Sequence, residues 1–295
     1  MFDLRYHVAS LAAVFFALVV GILVGVALAS HGLGSAERRK LQDELSNAHA
    51  QIDALKGTVQ EYNADSSFVD SAYRAVMTNR LRDERVAVLF VGRVDKTVST
   101  AIGTTLNDAG ATMPRMRAIS VPINAHAVQN ALAKRSALAS YTTGPKRFVN
   151  IGRELADEFV AGGNTPLWDA LEGQLVEERI GGGKRTADAV IIVRTAPPQI
   201  GRATAQLLGG IFSELANRSI PAVGAEFRGT FPSAVPTYKH YGLSSVDDVD
   251  VKIGKAALAV LLSPAGLSGH YGLQDVDDAI LPDIPPVTAA TNAGG

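Results

Sequence analysis

Two nine-residue segments carry the side chains best suited to chemistry. His240-Tyr241-Gly242-Leu243-Ser244-Ser245-Val246-Asp247-Asp248 is echoed by His270-Tyr271-Gly272-Leu273-Gln274-Asp275-Val276-Asp277-Asp278, identical at seven of nine positions. An imidazole with several carboxylates is a donor set for a divalent cation, and Asp250 and Asp275 extend it. The same residue types also have a structural use. His-Tyr-Gly makes a turn, while paired aspartates near a helix start accept hydrogen bonds from free N–H groups and complement the helix dipole. The structural use is the expected one, because 30 residues and a helix separate His240 from His270 and nothing local brings them together.

Other catalytic patterns are missing. The chain has no cysteine, so thiolate zinc sites, iron–sulfur clusters, disulfides and cysteine nucleophiles are excluded. Its six histidines form no i,i+4 pair and no His-x-Glu arrangement, and no Gly-x-Ser-x-Gly elbow occurs. Gly92 follows an apolar run but lacks the further glycines of a dinucleotide fingerprint. Gly181-Gly182-Gly183-Lys184-Arg185 precedes a strand instead of following one and lacks the Lys-Ser/Thr ending, so it reads as a flexible connection and not a phosphate loop. A net charge of −1, with no basic cluster interleaved with aromatics, argues against a nucleic-acid partner. The expectation is a non-enzymatic chain with no cofactor, no catalytic residues and no metal ligands.

Two amphipathic or apolar segments come before any such chemistry. Val8 to Ala29 is an apolar run whose only polar member is Ser10. At about 1.5 Å of rise per residue it covers the roughly 30 Å hydrocarbon core of a bilayer. A cleaved leader is the rival reading, with Ala27-Leu28-Ala29 resembling a processing site, but its apolar stretch is usually only about 7–15 residues. Ala9, Ala13, Ala17, Gly21, Gly25 and Ala29 recur at every fourth position and line one helix face. Gly21-x-x-x-Gly25 at the centre would let two such helices pack closely. Residues 1–34 therefore read as a membrane anchor with a dimer face at Ala17, Gly21 and Gly25. Arg38, Arg39 and Lys40 against Arg5 and the amino terminus would place the large domain in the cytoplasm by the positive-inside rule.

From residue 35 to 83 a heptad pattern follows. Leu45, Ile52 and Val59 occupy a positions; Leu41, Ala48, Leu55 and Tyr62 occupy d positions. β-branched residues at two of three a positions favour a parallel two-stranded coil, which agrees with a dimeric anchor. Leu45, Ile52, Leu55 and Val59 are the expected contacts of this stalk. A single amphipathic helix lying on a domain would show the same stripe.

Residues 84–281 read as a soluble α/β domain. Val86–Val91 is a continuous apolar run ended by Gly92, the mark of a strand buried on both faces. A helix follows from Lys96 to Asn107, an extended segment from Arg117 to Val121, and a helix from Ala125 to Ala139. Lys146–Ile151, Ala187–Val193 and Ile220–Gly224 read as further strands. Helices are expected at Gly201–Asn217 and Gly254–Leu262. Strands alternating with helices indicate βαβ units and a Rossmann-like, mainly parallel sheet. Residues 282–295, rich in Pro, Ala and Gly, read as a flexible tail.

The N-terminal pattern Leu4-Arg5-x-His7-x-x-Ser10-Leu11-Ala12-Ala13-Val14-Phe15-x-Ala17-Leu18, followed by a Gly-containing membrane segment and a heptad helix, resembles the actinobacterial copper transport protein MctB family. So does Ser245-Val246-Asp247-Asp248-Val249-Asp250, then an apolar helix, then Gly269-His270-Tyr271-Gly272. The resemblance implies copper homeostasis by transport or efflux. Under the family's other name, SteB, it implies cell-envelope assembly and division with a membrane partner of the SteA type. It also implies a single-pass plasma-membrane protein with the large domain outside the cytoplasm, against the Lys/Arg count. Copper(I) prefers thiolate and thioether ligands, and here Met113 and Met116 are the only closely spaced methionines. One helix cannot enclose a permeation path. The reading carried forward is a dimeric anchored envelope scaffold that binds a partner, with copper transport or efflux as its alternative.

Overall fold

The computed structural model describes residues 4–28, 35–181, 184–196, 201–274 and 277–287. Ala29, the turn-like His31–Gly34, Gly182, Gly183, Asp275 and residues 288–295 lie outside the described residues. The chain divides into two compact units, residues 1–68 and 69–295.

The first unit is helical. Helix α1 spans Leu4–Leu28, and its His7–Ala27 stretch has a mean hydropathy of 2.7, long and apolar enough to cross a membrane. Leu11, Val14, Phe16 and Leu18 are all more than half exposed, as suits a helix whose solvent is lipid. Helix α2 starts at Ser35 and continues unbroken to Met77.

The second unit is a mixed α/β domain around a seven-stranded, mostly parallel sheet. The strands are β1 (Val86–Val91), β2 (Met116–Ile119), β3 (Val176–Ile180), β4 (Ala189–Arg194), β5 (Ala222–Ala225), β6 (Ser244–Val246) and β7 (His270–Tyr271), in the order β3-β2-β1-β4-β5-β6-β7. Only β3 runs antiparallel to its neighbour. Val88 pairs in register with Met116 on one side and Ile191 on the other. All six residues of β1 are buried, because helices cover both faces. Ala87, Leu89 and Val91 face one core, with helices α4 (Ala125–Ala133), α5 (Arg147–Ala161), α6 (Pro166–Ala170), α7 (Gly201–Asn217) and α8 (Val235–Tyr241). Val86, Val88 and Phe90 face the other, with α3 (Lys96–Ala109), α9 (Lys252–Leu261) and the end of α2 at Met77.

The segment expected as a strand at Lys146–Ile151 is instead the start of α5. Its burial falls on Phe148, Ile151, Gly152, Leu155, Ala156 and Phe159, a helical period that the first six residues alone do not reveal. Helices α5 and α7 cross at glycines. A Cβ on Gly152 would lie 2.1 Å from the Leu207 carbonyl oxygen, and one on Gly210 would lie 2.2 Å from that of Val149. The helix expected to reach Ala139 ends at Ala133 and gives way to a tighter 3-10 helix over Ser136–Thr142.

The last turns of α2 within this unit are bonded to the sheet domain. Tyr73 Oη donates to Asp108 at 2.6 Å, Asp70 pairs with Lys252, and Leu81 is fully buried. Buried Arg80 donates at 2.6 Å to the carbonyl of Pro285, which lies in the segment read as a tail.

Candidate functional site

In an open parallel sheet, ligands bind beyond the strand C-termini where the strand order reverses, here between β1 and β4. The described loops at that place are bonded to each other. Thr195 and Ala196 N–H donate to the Val91 carbonyl at 2.9 and 3.0 Å, and Thr195 Oγ1 donates to that of Arg93 at 2.6 Å. Gly92, at φ +111°, allows this approach, since a Cβ there would lie 2.7 Å from the Ala196 nitrogen. The backbone that would face a cofactor phosphate is used to join two loops.

The polar cluster sits two strands further along, and the two nine-residue copies fold differently. In the first, His240 and Tyr241 end α8, and Gly242 closes the helix in the left-handed conformation, its N–H donating to Tyr238 and Lys239 carbonyls. In the second, His270 and Tyr271 form β7, paired in parallel with Ser245 and Val246 of the first copy. So the repeat brings its own two halves together along one sheet edge. His240 is exposed, whereas His270 is 9% exposed, with Nδ1 2.8 Å from Ser245 Oγ.

The expected helix capping by the aspartates is corrected. Val251, not an aspartate, is the N-cap of α9, and no side chain caps it. The carboxylates instead hold the loop after β7. Asp247 Oδ1 accepts from Leu273 N–H at 3.0 Å, Asp277 Oδ2 from Gln274 N–H at 2.9 Å, and Asp278 Oδ2 from His270 N–H at 3.0 Å. Asp248 is 3% exposed, and its Oδ1 lies 3.5 Å from Arg228 Nε. Local tightness explains the spacing: any Cβ on Gly272 would fall 1.4 Å from Asp247 Oδ1, and one on Gly254 would fall 2.2 Å from the Asp248 carbonyl oxygen.

Crowding three carboxyls away from water makes their charged forms costly. Burial, followed by repulsion within the group, lifts Asp247, Asp248 and Asp277 above the usual carboxylate range, while burial lowers His270. Asp278 moves the other way, held down by the His270 N–H and by Lys239. Among the described residues no group of three or more His, Asp or Glu side chains is placed to hold a metal ion. The arrangement can clip an edge strand to its neighbour.

Two buried carboxylates escaped sequence reading. Glu226 accepts from Ser233 Oγ at 2.7 Å and from the Ala234 N–H, anchoring the start of α8. Glu158 accepts from the N–H groups of Leu167 and Trp168 at 2.9 and 3.2 Å, capping α6 from another helix. Neither cap is local in sequence, so no spacing rule signals it.

The residues expected at interfaces lie on helices. Ala17, Gly21 and Gly25 are exposed on α1, with nothing within 4 Å of a Cβ built at either glycine. On α2, Leu45 and Ile52 are half-buried, while Leu55 and Val59 are 46% and 36% exposed. The four α2 positions share one face of that helix.

No curated protein matches the chain. The sequence model of the family described as "Copper transport outer membrane protein, MctB" matches residues 1–282, which includes the apolar helix, the long helix and the whole sheet. The chain belongs to the MctB copper transport family.

Proposed function

We propose that the chain serves copper transport and homeostasis at the cell envelope as an anchored component of an assembly. The family match over residues 1–282 carries this reading. Physical limits set the form it takes. One spanning helix encloses no path for an ion. A spanning β-strand needs about 9–11 residues, whereas the strands here run from 2 to 6 and are packed between helices. Copper would thus be the cargo of a larger membrane assembly, in which α1 anchors this chain and the α/β head, Rossmann-like in its crossover pattern, engages a partner outside the cytoplasm without catalysing a reaction.

Dimerisation through α1 and a coiled-coil α2 belongs to the same proposal. The exposed stripe at Leu55, Val59 and Tyr62 supports it, since a helix that stays monomeric in water gains nothing from such a face. The same stripe favours a second reading, a dimeric scaffold for envelope assembly or division that binds a membrane partner of the SteA type. Gentle detergent extraction of the full-length chain, followed by crosslinking and identification of co-purifying proteins, tests the assembly. A crosslinked dimer with a multispanning membrane protein is expected for copper transport. A dimer carrying only envelope-synthesis proteins favours the second reading, and a partnerless monomer contradicts both.

A further inference from the structure

A cavity of the sheet domain, about 480 Å³, opens at the opposite end of the sheet from the strand C-termini. The elements around it set its electrostatics. In a parallel α/β domain the helices run back against the strands, so their C-terminal ends gather at the strand N-termini. Here the ends of α7, α8 and α9 all reach the cavity, through Ser219 and Ile220, Gly242 and Leu243, and Leu262 and Pro264. Each brings the negative end of a helix dipole. Two carboxylates, Glu84 and Asp188, line the same wall, and no Lys, Arg or His does. Asp188 is satisfied: Arg85 grips it with Nε and Nη2 at 2.7 and 2.6 Å. Glu84 forms no ion pair among the described residues; burial and then neighbouring Asp188 hold its carboxyl above the usual range, against the opposing pull of Arg85. The accessible apolar walls include Ile220, Pro221, Pro264 and Leu267.

We propose that this cavity binds an organic cation, an ammonium group on an apolar body. The nitrogen sits at Glu84 under the three helix ends, and the body lies against Ile220, Pro221, Pro264 and Leu267. The volume falls within the roughly 300–1,000 Å³ of small-molecule sites. Copper does not suit it, because neither imidazole nor sulfur lines the wall. The site is therefore separate from the copper reading and survives or fails without it.

Calorimetric titration of the detergent-solubilised full-length chain with cyclohexylammonium tests this, with protein-free micelles as the blank. Cyclohexanol lacks the charge and methylammonium lacks the body. One saturable site is expected for cyclohexylammonium, with both controls at least about tenfold weaker, a difference of about 1.4 kcal/mol. Glu84→Gln should lose the same factor while its melting temperature in the absence of ligand does not fall below that of the wild type. Affinity should also fall as pH drops and Glu84 takes up a proton. Absence of saturable binding overturns the proposal, as does binding that Glu84→Gln leaves unchanged or that cyclohexanol matches.

Discussion

Gly272 lies against Asp247 so closely that a Cβ would sit 1.4 Å from the carboxylate oxygen Oδ1. That oxygen accepts from the N–H of Leu273, the next residue, so the loop after β7 is drawn onto the β6 turn at a point where only glycine fits. Gly272→Ala should push the loop off and leave a buried carboxylate without its donor. Unpaired buried groups and backbone strain place the cost at about 2–3 kcal/mol. Denaturant unfolding of the purified chain measures it, and a change below about 0.5 kcal/mol would mean that the loop is not held by Asp247.

The buried carboxyls set a sign for pH dependence. Asp248 is held above its ordinary range by burial and by Asp247. A group whose folded pKa is raised binds more protons when folded. Its contribution is full below the unfolded value of about 3.9 and is lost as pH rises through the folded value. Asp248→Asn should then raise the melting temperature by a few degrees at pH 7, with the gain shrinking below about pH 4. Asn also tolerates the φ of +55° found there. Asp188 gives the opposite sign. Arg85 lowers its pKa, so Asp188→Asn should destabilise the chain above about pH 4 and matter less in acid. Equal effects at pH 4 and pH 7 for both variants would contradict these environments.

The two histidines of the repeat should differ. His270→Ala removes a buried ring bonded to Ser245 and should cost about 1 kcal/mol or more, whereas His240→Ala, at an exposed helix end, should cost less than about 0.5 kcal/mol. Thermal unfolding separates them. Copper titration of the double variant should match that of the wild type. Tight wild-type binding that disappears in the double variant would show that the histidines are copper ligands.

Much of this architecture is legible in the sequence, for definite reasons. Val86–Val91 and Ala189–Arg194 are central strands covered on both faces, so their residues are uniformly apolar. The elements that were missed or misread lack such a signal. Strand β3 reads Val-Glu-Glu-Arg-Ile, because an edge strand is guarded by charge instead of hydrophobicity. Strand β7 is two residues long and exists only through pairing with β6. The start of α5 looks like a strand until its period is followed to Phe159. The repeat shows the limit most clearly. Seven shared residues do not specify one conformation, and the second copy becomes a strand because the first supplies a neighbour.

The α5–α7 crossing is a further point at which packing dictates residue type. Gly152→Ala or Gly210→Ala would drive a methyl into the facing backbone carbonyl. Each should cost about 2–3 kcal/mol, as overpacking does when the obstacle is main chain. The two clashes fall on different carbonyls, Leu207 and Val149, so the double variant should lose more than either single one. A neutral Gly210→Ala, read by the same unfolding assay, would mean that the helices stand further apart.

The small-residue face of α1 and the stripe of α2 can be separated by substitution. Gly21→Ile with Gly25→Ile should lower crosslinking yield in membranes, because branched side chains force the backbones apart. Ile52→Asp with Val59→Asp should lower it through the stalk, since each buries a charge in the seam. Unchanged yield in both would mean that neither face holds the dimer.

Copper itself gives the most direct test. Cells lacking this chain, cells with it restored, and cells given a form without residues 4–28 but exported by a cleavable leader can be compared for total copper by mass spectrometry after a copper load. Loss of the chain should change cellular copper. The full-length chain should restore it and the unanchored form should not. Copper content that is the same in all three strains would contradict a role in copper transport.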